Sequence, residues 1–246
     1  MAAFSARTGG VSAAPYDSLN LSEGVGDDPA AVRTNRSRLL TTLGLDPAGV
    51  AFATQVHGAT CLTPVVSGWA GTGDALATRD AGPVLVVGTA DCLAVLLWDA
   101  TRPAIAAAHA GWRGTLAGVV PRTVETLVEL GSQPANLRAA LGPRIGPCCF
   151  EVGPEVAEQF VPEDRSARAG RATIDLARAV IRQLRAAGLP EAGVFDVANS
   201  PGASACTACD AARYFSHRRD QGQTGRAWGV ISTRPAAPKP PAEAAV

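Results

Sequence analysis

Three side chains combine metal-binding chemistry with an unusual setting. His109 closes the apolar run Ala104-Ile105-Ala106-Ala107-Ala108 and precedes Ala110-Gly111-Trp112-Arg113-Gly114. His57 ends Thr54-Gln55-Val56-His57, and Cys92 ends Gly88-Thr89-Ala90-Asp91-Cys92, where two apolar runs meet. The chain has three histidines in all, and an imidazole among alanines is costly unless something binds it. Two imidazoles and a thiol, each at a strand boundary beside small residues, form a three-ligand set suited to zinc. Such a set leaves one tetrahedral position open, where the pKa of a bound water falls to roughly 7. A thiolate also tolerates copper. The gaps, 35 positions from His57 to Cys92 and 17 from Cys92 to His109, match no short zinc signature. Residue chemistry alone therefore leaves two readings open, a shared metal site or separate core side chains.

Other groups could serve such a site. Asp91 stands beside Cys92, where it could orient a ligand, move a proton or cap a turn. Arg7, Arg113 and Arg144 each lie next to a glycine-rich turn, where a guanidinium could fork onto phosphate or form a surface ion pair. Cys206-Thr207-Ala208-Cys209 has the spacing of a zinc knuckle or a redox pair. A knuckle needs a second pair, and the adjacent Cys148 and Cys149 look poorly placed to chelate, so the expectation is a plain thiol pair. Cys61 reads as core. There is no Walker A sequence, no GxGxxG after a strand and no zinc deaminase signature.

The elements that must position these residues are legible as apolar runs. Strands are expected at 50–56, 61–66, 84–89, 93–98, 104–109, 137–141, 194–197 and 227–232, punctuated by Pro83, Gly88, Asp99 and Pro103. Two of these are apolar at nearly every residue, which predicts cover on both faces. Helices are expected from Asp28-Pro29 onward, at 115–130, at 154–160 and at 174–187. Residues up to about Gly26 read as loops. Adjacent strands mixed with strand–helix steps predict an α+β domain with a mixed central sheet layered with helices. That domain is expected at 1–232, followed by a disordered Pro/Ala-rich tail at 233–246.

Composition narrows the class. The chain has 246 residues, 47% hydrophobic and 18% charged, enough for a substantial core. Its formal net charge is zero, so neither a nucleic acid nor an anionic membrane is an expected partner. No apolar h-region opens the chain and no apolar run reaches a membrane span, so a cytoplasmic setting is expected. There, six cysteines are thiols or ligands rather than disulfides.

Several blocks, taken in order, resemble one family. They are Arg7-Thr8-Gly9-Gly10-Val11-Ser12, Pro15-Tyr16-Asp17-Ser18-Leu19-Asn20-Leu21, Gln55-Val56-His57-Gly58, Thr89-Ala90-Asp91-Cys92 and His109-Ala110-Gly111-Trp112-Arg113-Gly114. Gly142-Pro143, Cys149-Phe150-Glu151-Val152-Gly153, Phe215-Ser216-His217-Arg218-Arg219-Asp220 and Thr224-Gly225-Arg226 follow. The family is the laccase-domain, or polyphenol-oxidase-like, family, whose members are also called purine nucleoside phosphorylases and peptidoglycan editing factors. The resemblance implies zinc, with copper as the other metal, held by His57, Cys92 and His109. It also implies a pocket to which Arg7 contributes. The residues expected to act in catalysis are Arg7, Cys92 and Asp91, and those expected to contact substrate are Asn20, Gln55 and Arg113. The activities it implies are phosphorolysis of adenosine, inosine and methylthioadenosine, with deamination of adenosine. The partners are then a nucleoside and phosphate. A hydrolase that removes a wrong amino acid from a peptidoglycan precursor is one alternative. A copper oxidase is another, though three histidines are few for it. The family has tyrosine where this chain has His217, which reads as a structural or surface residue.

Overall fold

The alanine run that ends in His109 is a strand covered on both faces, and the rest of the architecture is arranged around it. The protein is described by a computed structural model covering residues 1–199 and 205–233. Its strands are β1 (Ala2–Phe4), β2 (Val50–Thr54), β3 (Cys61–Leu62), β4 (Gly68–Thr72), β5 (Ala75–Thr78), β6 (Val84–Thr89), β7 (Leu93–Asp99), β8 (Ile105–Ala110), β9 (Leu137–Leu141), β10 (Arg165–Arg168), β11 (Arg171–Ile174), β12 (Val194–Asp196) and β13 (Ala227–Ile231). The α-helices are α1 (Pro29–Thr42), α2 (Trp112–Leu116), α3 (Val119–Glu129), α4 (Pro154–Ala157) and α5 (Leu176–Ala186).

The mixed-sheet α+β class is as expected, but the strands divide between two sheets. One has the order β1-β13-β6-β2-β4 and the other β12-β9-β7-β8-β5-β3, with β10 and β11 forming a separate hairpin. Both large sheets contain parallel and antiparallel pairs. Side-chain alternation along β8 explains the stacking. Ala106, Ala108 and Ala110 pack with Val120, Val124 and Leu127 of α3 and Val180 of α5. Ile105 and Ala107 pack with Leu85 and Val87 of the opposite sheet. Methyl groups on both faces let β8 lie between a helical layer and a second sheet. On the far side of that second sheet, Val84, Val86 and Val230 meet Leu40 of α1 and Leu45. The layers therefore run helix, sheet, sheet, helix.

Local chemistry sets the boundaries. Asp28 caps α1 by accepting the Ala30 N–H at 2.9 Å, and Pro29 occupies the first turn. The single helix expected at 115–130 is two helices, α2 and α3. Gly118 between them has φ +85°, in the left-handed region. That break places Pro121 in the first turn of α3, where its missing N–H costs nothing. The strand expected at 61–66 stops after Leu62, just before Pro64, which has no donor for a ladder. The helix expected at 154–160 ends at Ala157. The expected tail lies, past Thr233, outside the described residues. Among the described residues, no helix is long and apolar enough to cross a membrane.

Candidate metal centre

His57, Cys92 and His109 converge where the two sheets meet. His57 follows β2 in one sheet. In the other, Cys92 precedes β7 and His109 lies near the end of β8, paired in register with Ala94. One donor atom from each of the three lies within 4.8 Å of the others. Cys92 Sγ is 3.9 Å from His57 Nε2. The two imidazoles meet edge to face, with ring centroids 4.9 Å apart. The cluster runs from the core, where His109 is buried, to the surface, where His57 is exposed.

One carboxylate organises these residues. Asp74, fully buried just before β5, lies 2.8 Å from His109 Nδ1 through Oδ1. The same carboxylate accepts three consecutive backbone N–H groups, from Val56 at 3.1 Å, His57 at 2.9 Å and Gly58 at 2.7 Å. Successive amides converging on one anion form a nest, and His57 takes the left-handed conformation, φ +62°, that this nest requires. Asp74 thus fixes the loop carrying one imidazole and the ring of the other. Burial pushes its carboxyl up, but the His109 hydrogen bond and the Gly58 and Val56 amides bring it below its ordinary value.

Without an ion the cluster is a thiolate paired with an imidazolium, whose proton a metal would displace. Burial alone would raise the Cys92 thiol, but the charge and hydrogen bond of His109, then the hydrogen bond of His57, bring it down to about 6. Burial alone would lower His109, but the charge of Cys92, then the Asp74 hydrogen bond, raise it to about 9. A thiolate and two imidazoles are a donor set that zinc and copper accept. Space is kept for an ion as well. A Cβ on Gly111 would lie 2.8 Å from Cys92 Sγ and 3.0 Å from His57 Cδ2, so only glycine leaves the donors clear.

The remaining expected site residues are placed differently. The Asp91 carboxylate accepts from Thr207 Oγ1 at 2.5 Å and from the Arg218 N–H at 2.6 Å. It therefore holds the C-terminal block, and the ligand-orienting position belongs to Asp74. Gln55 spends its amide on the Gly88 backbone, donating at 2.9 Å and accepting at 2.7 Å. Asn20 is fully buried and bonds Ser22, Asp27 and the Arg226 N–H. Arg7 lies over Phe215 and is held by Asp17 and the Ala211 carbonyl. The Arg144 fork is taken by Asp196. Arg113 is exposed, with its guanidinium stacked 4.2 Å over the Trp112 ring. His217 is exposed.

Two residues escaped the sequence reading. Asp74 had a usable signal, a carboxylate opening the apolar stretch Ala75-Leu76-Ala77. Arg226 had only its block. Burial lowers its guanidinium, while the charges of Cys92 and then Asp91 act on it in the opposite sense; the next residue, Ala227, pairs in register with Thr89, at the end of β6 before Asp91 and Cys92.

The family model described as multi-copper polyphenol oxidoreductase laccase matches residues 1–234. The chain belongs to this laccase family. Relatives within it include the purine nucleoside phosphorylase of Deinococcus radiodurans, 42% identical over 93% of this chain and 87% of that protein. Purine nucleoside phosphorylase YfiH of Escherichia coli is 42% identical over 90% of this chain and 89% of that protein. Among solved structures, YlmD from Geobacillus stearothermophilus superposes with a TM-score of 0.87 at 32% identity, covering 94% of this chain and 91% of that one. The laccase-family description implies a bound metal, and His57, Cys92 and His109 are a three-donor set able to hold one.

Proposed function

We propose that this laccase-family chain is a zinc-dependent purine nucleoside phosphorylase acting on adenosine, inosine and methylthioadenosine, with adenosine deamination at the same centre. The observation that carries this reading is the solvent-reaching His57/Cys92/His109 cluster, ordered by Asp74, in a chain whose relatives are named purine nucleoside phosphorylases.

In phosphorolysis a phosphate oxygen bonds to C1′ of the sugar as the C1′–N9 bond breaks. The products are ribose 1-phosphate and a purine that takes up a proton. His57, Cys92 and His109 would hold the zinc, which supplies a Lewis acid with an open position when bound. With Asp74 accepting the proton at Nδ1, a His109 that has given up its other proton would present Nε2 as the donor atom. Arg226, whose neighbour Ala227 pairs with Thr89 just before Asp91 and Cys92, is our candidate cation for phosphate, and the exposed Arg113 can add a second. Arg7 supports the reaction by fixing the 211–215 segment.

Zinc is favoured over copper by residue supply. The chain's three histidines are too few for a multicopper oxidase. Six free cysteines fit the reducing compartment that we propose as its setting.

The test is to incubate zinc-loaded protein with adenosine, with and without phosphate, and to follow free adenine. Release that depends on phosphate and disappears in His109→Ala supports the reading. Amino-acid release from a peptidoglycan precursor, with no nucleoside turnover, overturns it.

A further inference from the structure

We propose that Cys148, Cys149, Cys206 and Cys209 form a second metal site, a closed four-thiolate centre for zinc that fastens the C-terminal block to the segment carrying Cys92. The adjacent pair and the CxxC pair, read separately in the sequence, are brought together by the fold. Their four sulfurs lie within 4.8 Å of one another. Cys209 Sγ is 3.6 Å from that of Cys148 and 3.3 Å from that of Cys149. Zinc–sulfur bonds of about 2.3 Å in a tetrahedron put neighbouring sulfurs about 3.8 Å apart. The thiols are thus near the spacing that one ion imposes, and well outside the roughly 2.05 Å of a disulfide.

The backbone is shaped for the same purpose. The Cys149 and Phe150 N–H groups both reach the Gly146 carbonyl at 2.9 Å, closing a tight turn that brings the adjacent cysteines to one side. The Gly146 N–H donates to Cys206 Sγ at 3.3 Å, the kind of amide contact that favours a thiolate. A Cβ on Gly146 would lie 3.2 Å from Cys148 Sγ and 3.3 Å from Cys206 Cβ, so glycine lets the two loops close on each other. Four thiolates around a divalent cation leave a net charge of −2. Two guanidiniums stand against the same backbone. Arg168 donates to the Cys148 carbonyl, and Arg218 donates to the carbonyls of Cys149 at 3.4 Å and Glu151 at 3.0 Å.

The two clusters differ in chemistry and share a hinge point. Four protein ligands close a coordination sphere, whereas His57, Cys92 and His109 leave a position open. Asp91 joins them. Its carbonyl accepts from Ile145 at 2.9 Å, on the loop before Cys148, and its carboxylate accepts from Thr207, inside the CxxC. Cys92 is the next residue. An ion on the four cysteines would therefore hold the stretch leading to Arg226 in place beside the first centre.

Metal counting on the full chain tests this. Protein loaded with Zn²⁺ under reducing conditions, then dialysed against metal-free buffer, is expected to retain two zinc ions, one per cluster. Cys148→Ser/Cys209→Ser should lose half of the zinc, and Cys92→Ser/His109→Ala should lose the other half. Zinc X-ray absorption on the unmutated protein gives an answer even if the cysteine variant does not fold, because a four-thiolate site makes the average zinc shell sulfur-rich. A single zinc in a nitrogen-rich shell, lost entirely in Cys92→Ser/His109→Ala, overturns the proposal. So does recovery of the four cysteines as disulfides or freely titrating thiols in the zinc-loaded protein.

Discussion

Asp74 and His109 are bonded to each other twice. The Asp74 backbone carbonyl accepts the His109 N–H at 2.7 Å, and its carboxylate meets His109 Nδ1 at 2.8 Å. The first contact belongs to the edge where β5 runs beside β8; the second sets the imidazole's orientation and tautomer. Backbone and side chain thus fix one ligand from the same residue, while the rest of the carboxylate fixes the loop of a second.

Asp74→Asn is accordingly expected to weaken the metal centre and the fold by comparable amounts. Asn keeps one acceptor oxygen but loses the charge and cannot serve three amides and Nδ1 together. Metal affinity should fall about 10- to 100-fold, read by competition with a chelator. Stability should fall by about 1–3 kcal/mol, read by urea unfolding of the metal-free protein. Unchanged metal affinity would show that Asp74 does not orient His109.

Gly111→Ala isolates the space beside the donors. Gly111 has φ −76° and ψ 172°, which alanine adopts freely, so backbone strain plays no part. The added methyl would stand 2.8 Å from Cys92 Sγ. Metal retention after dialysis should drop sharply while the circular dichroism spectrum stays the same. Full retention would place the ion elsewhere.

The metal-free protein should show an activated Cys92. Its thiol lies near 6 rather than its ordinary value, so lowering pH through about 6 protonates it, and above about 7 it is fully thiolate. Alkylation of the Cys92 peptide by iodoacetamide, followed by mass spectrometry after metal removal, should therefore rise through about pH 6 and then level off. In His109→Ala the rise should move toward the ordinary thiol range, because His109 supplies the largest lowering influence. Cys61 moves the other way. Burial raises it, so it should react only at higher pH.

Legibility from sequence followed the length of the signal. The apolar runs at β6, β7, β8 and β9 announced themselves, and α1 and α5 were bounded by Asp28 and Gly188. β4 and β5 were hidden, because Gly68, Gly71 and Gly73 make that stretch look like a loop, and only pairing with β2 and β8 makes it sheet. The three candidate donors were readable because each ended a visible strand, and the fold brings them together. Their partner was not, because Asp74 acts across 35 positions on His109 and 17 on His57, and single-residue context carries no such coupling. The cysteine pairs failed for the same reason. Their convergence depends on the 144–150 and 205–210 loops meeting through Arg144, Ala205 and Thr207.

The guanidinium that handles phosphate gives the last prediction, and the choice lies between Arg7 and Arg226. Arg7 is committed to Asp17, to the Ala211 carbonyl and to the Phe215 ring. Its loss should loosen the 211–215 segment and lower thermal stability. Arg226 bonds the carbonyls of Thr224 and Gly225 through Nη1, and its neighbour Ala227 pairs with Thr89 just before Asp91 and Cys92. Arg226→Ala should raise KM for phosphate about tenfold or more, the loss of a charge-assisted contact worth about 1.5–3 kcal/mol. KM for the nucleoside should change less. Arg226→Lys should recover part of the effect, because a point charge replaces the fork. Phosphate KM measured at fixed adenosine in the three proteins decides the matter. If Arg7→Ala raises the phosphate KM while Arg226→Ala leaves it unchanged, the phosphate lies on the Arg7 side of the C-terminal block and Arg226 serves only to hold the 224–226 turn.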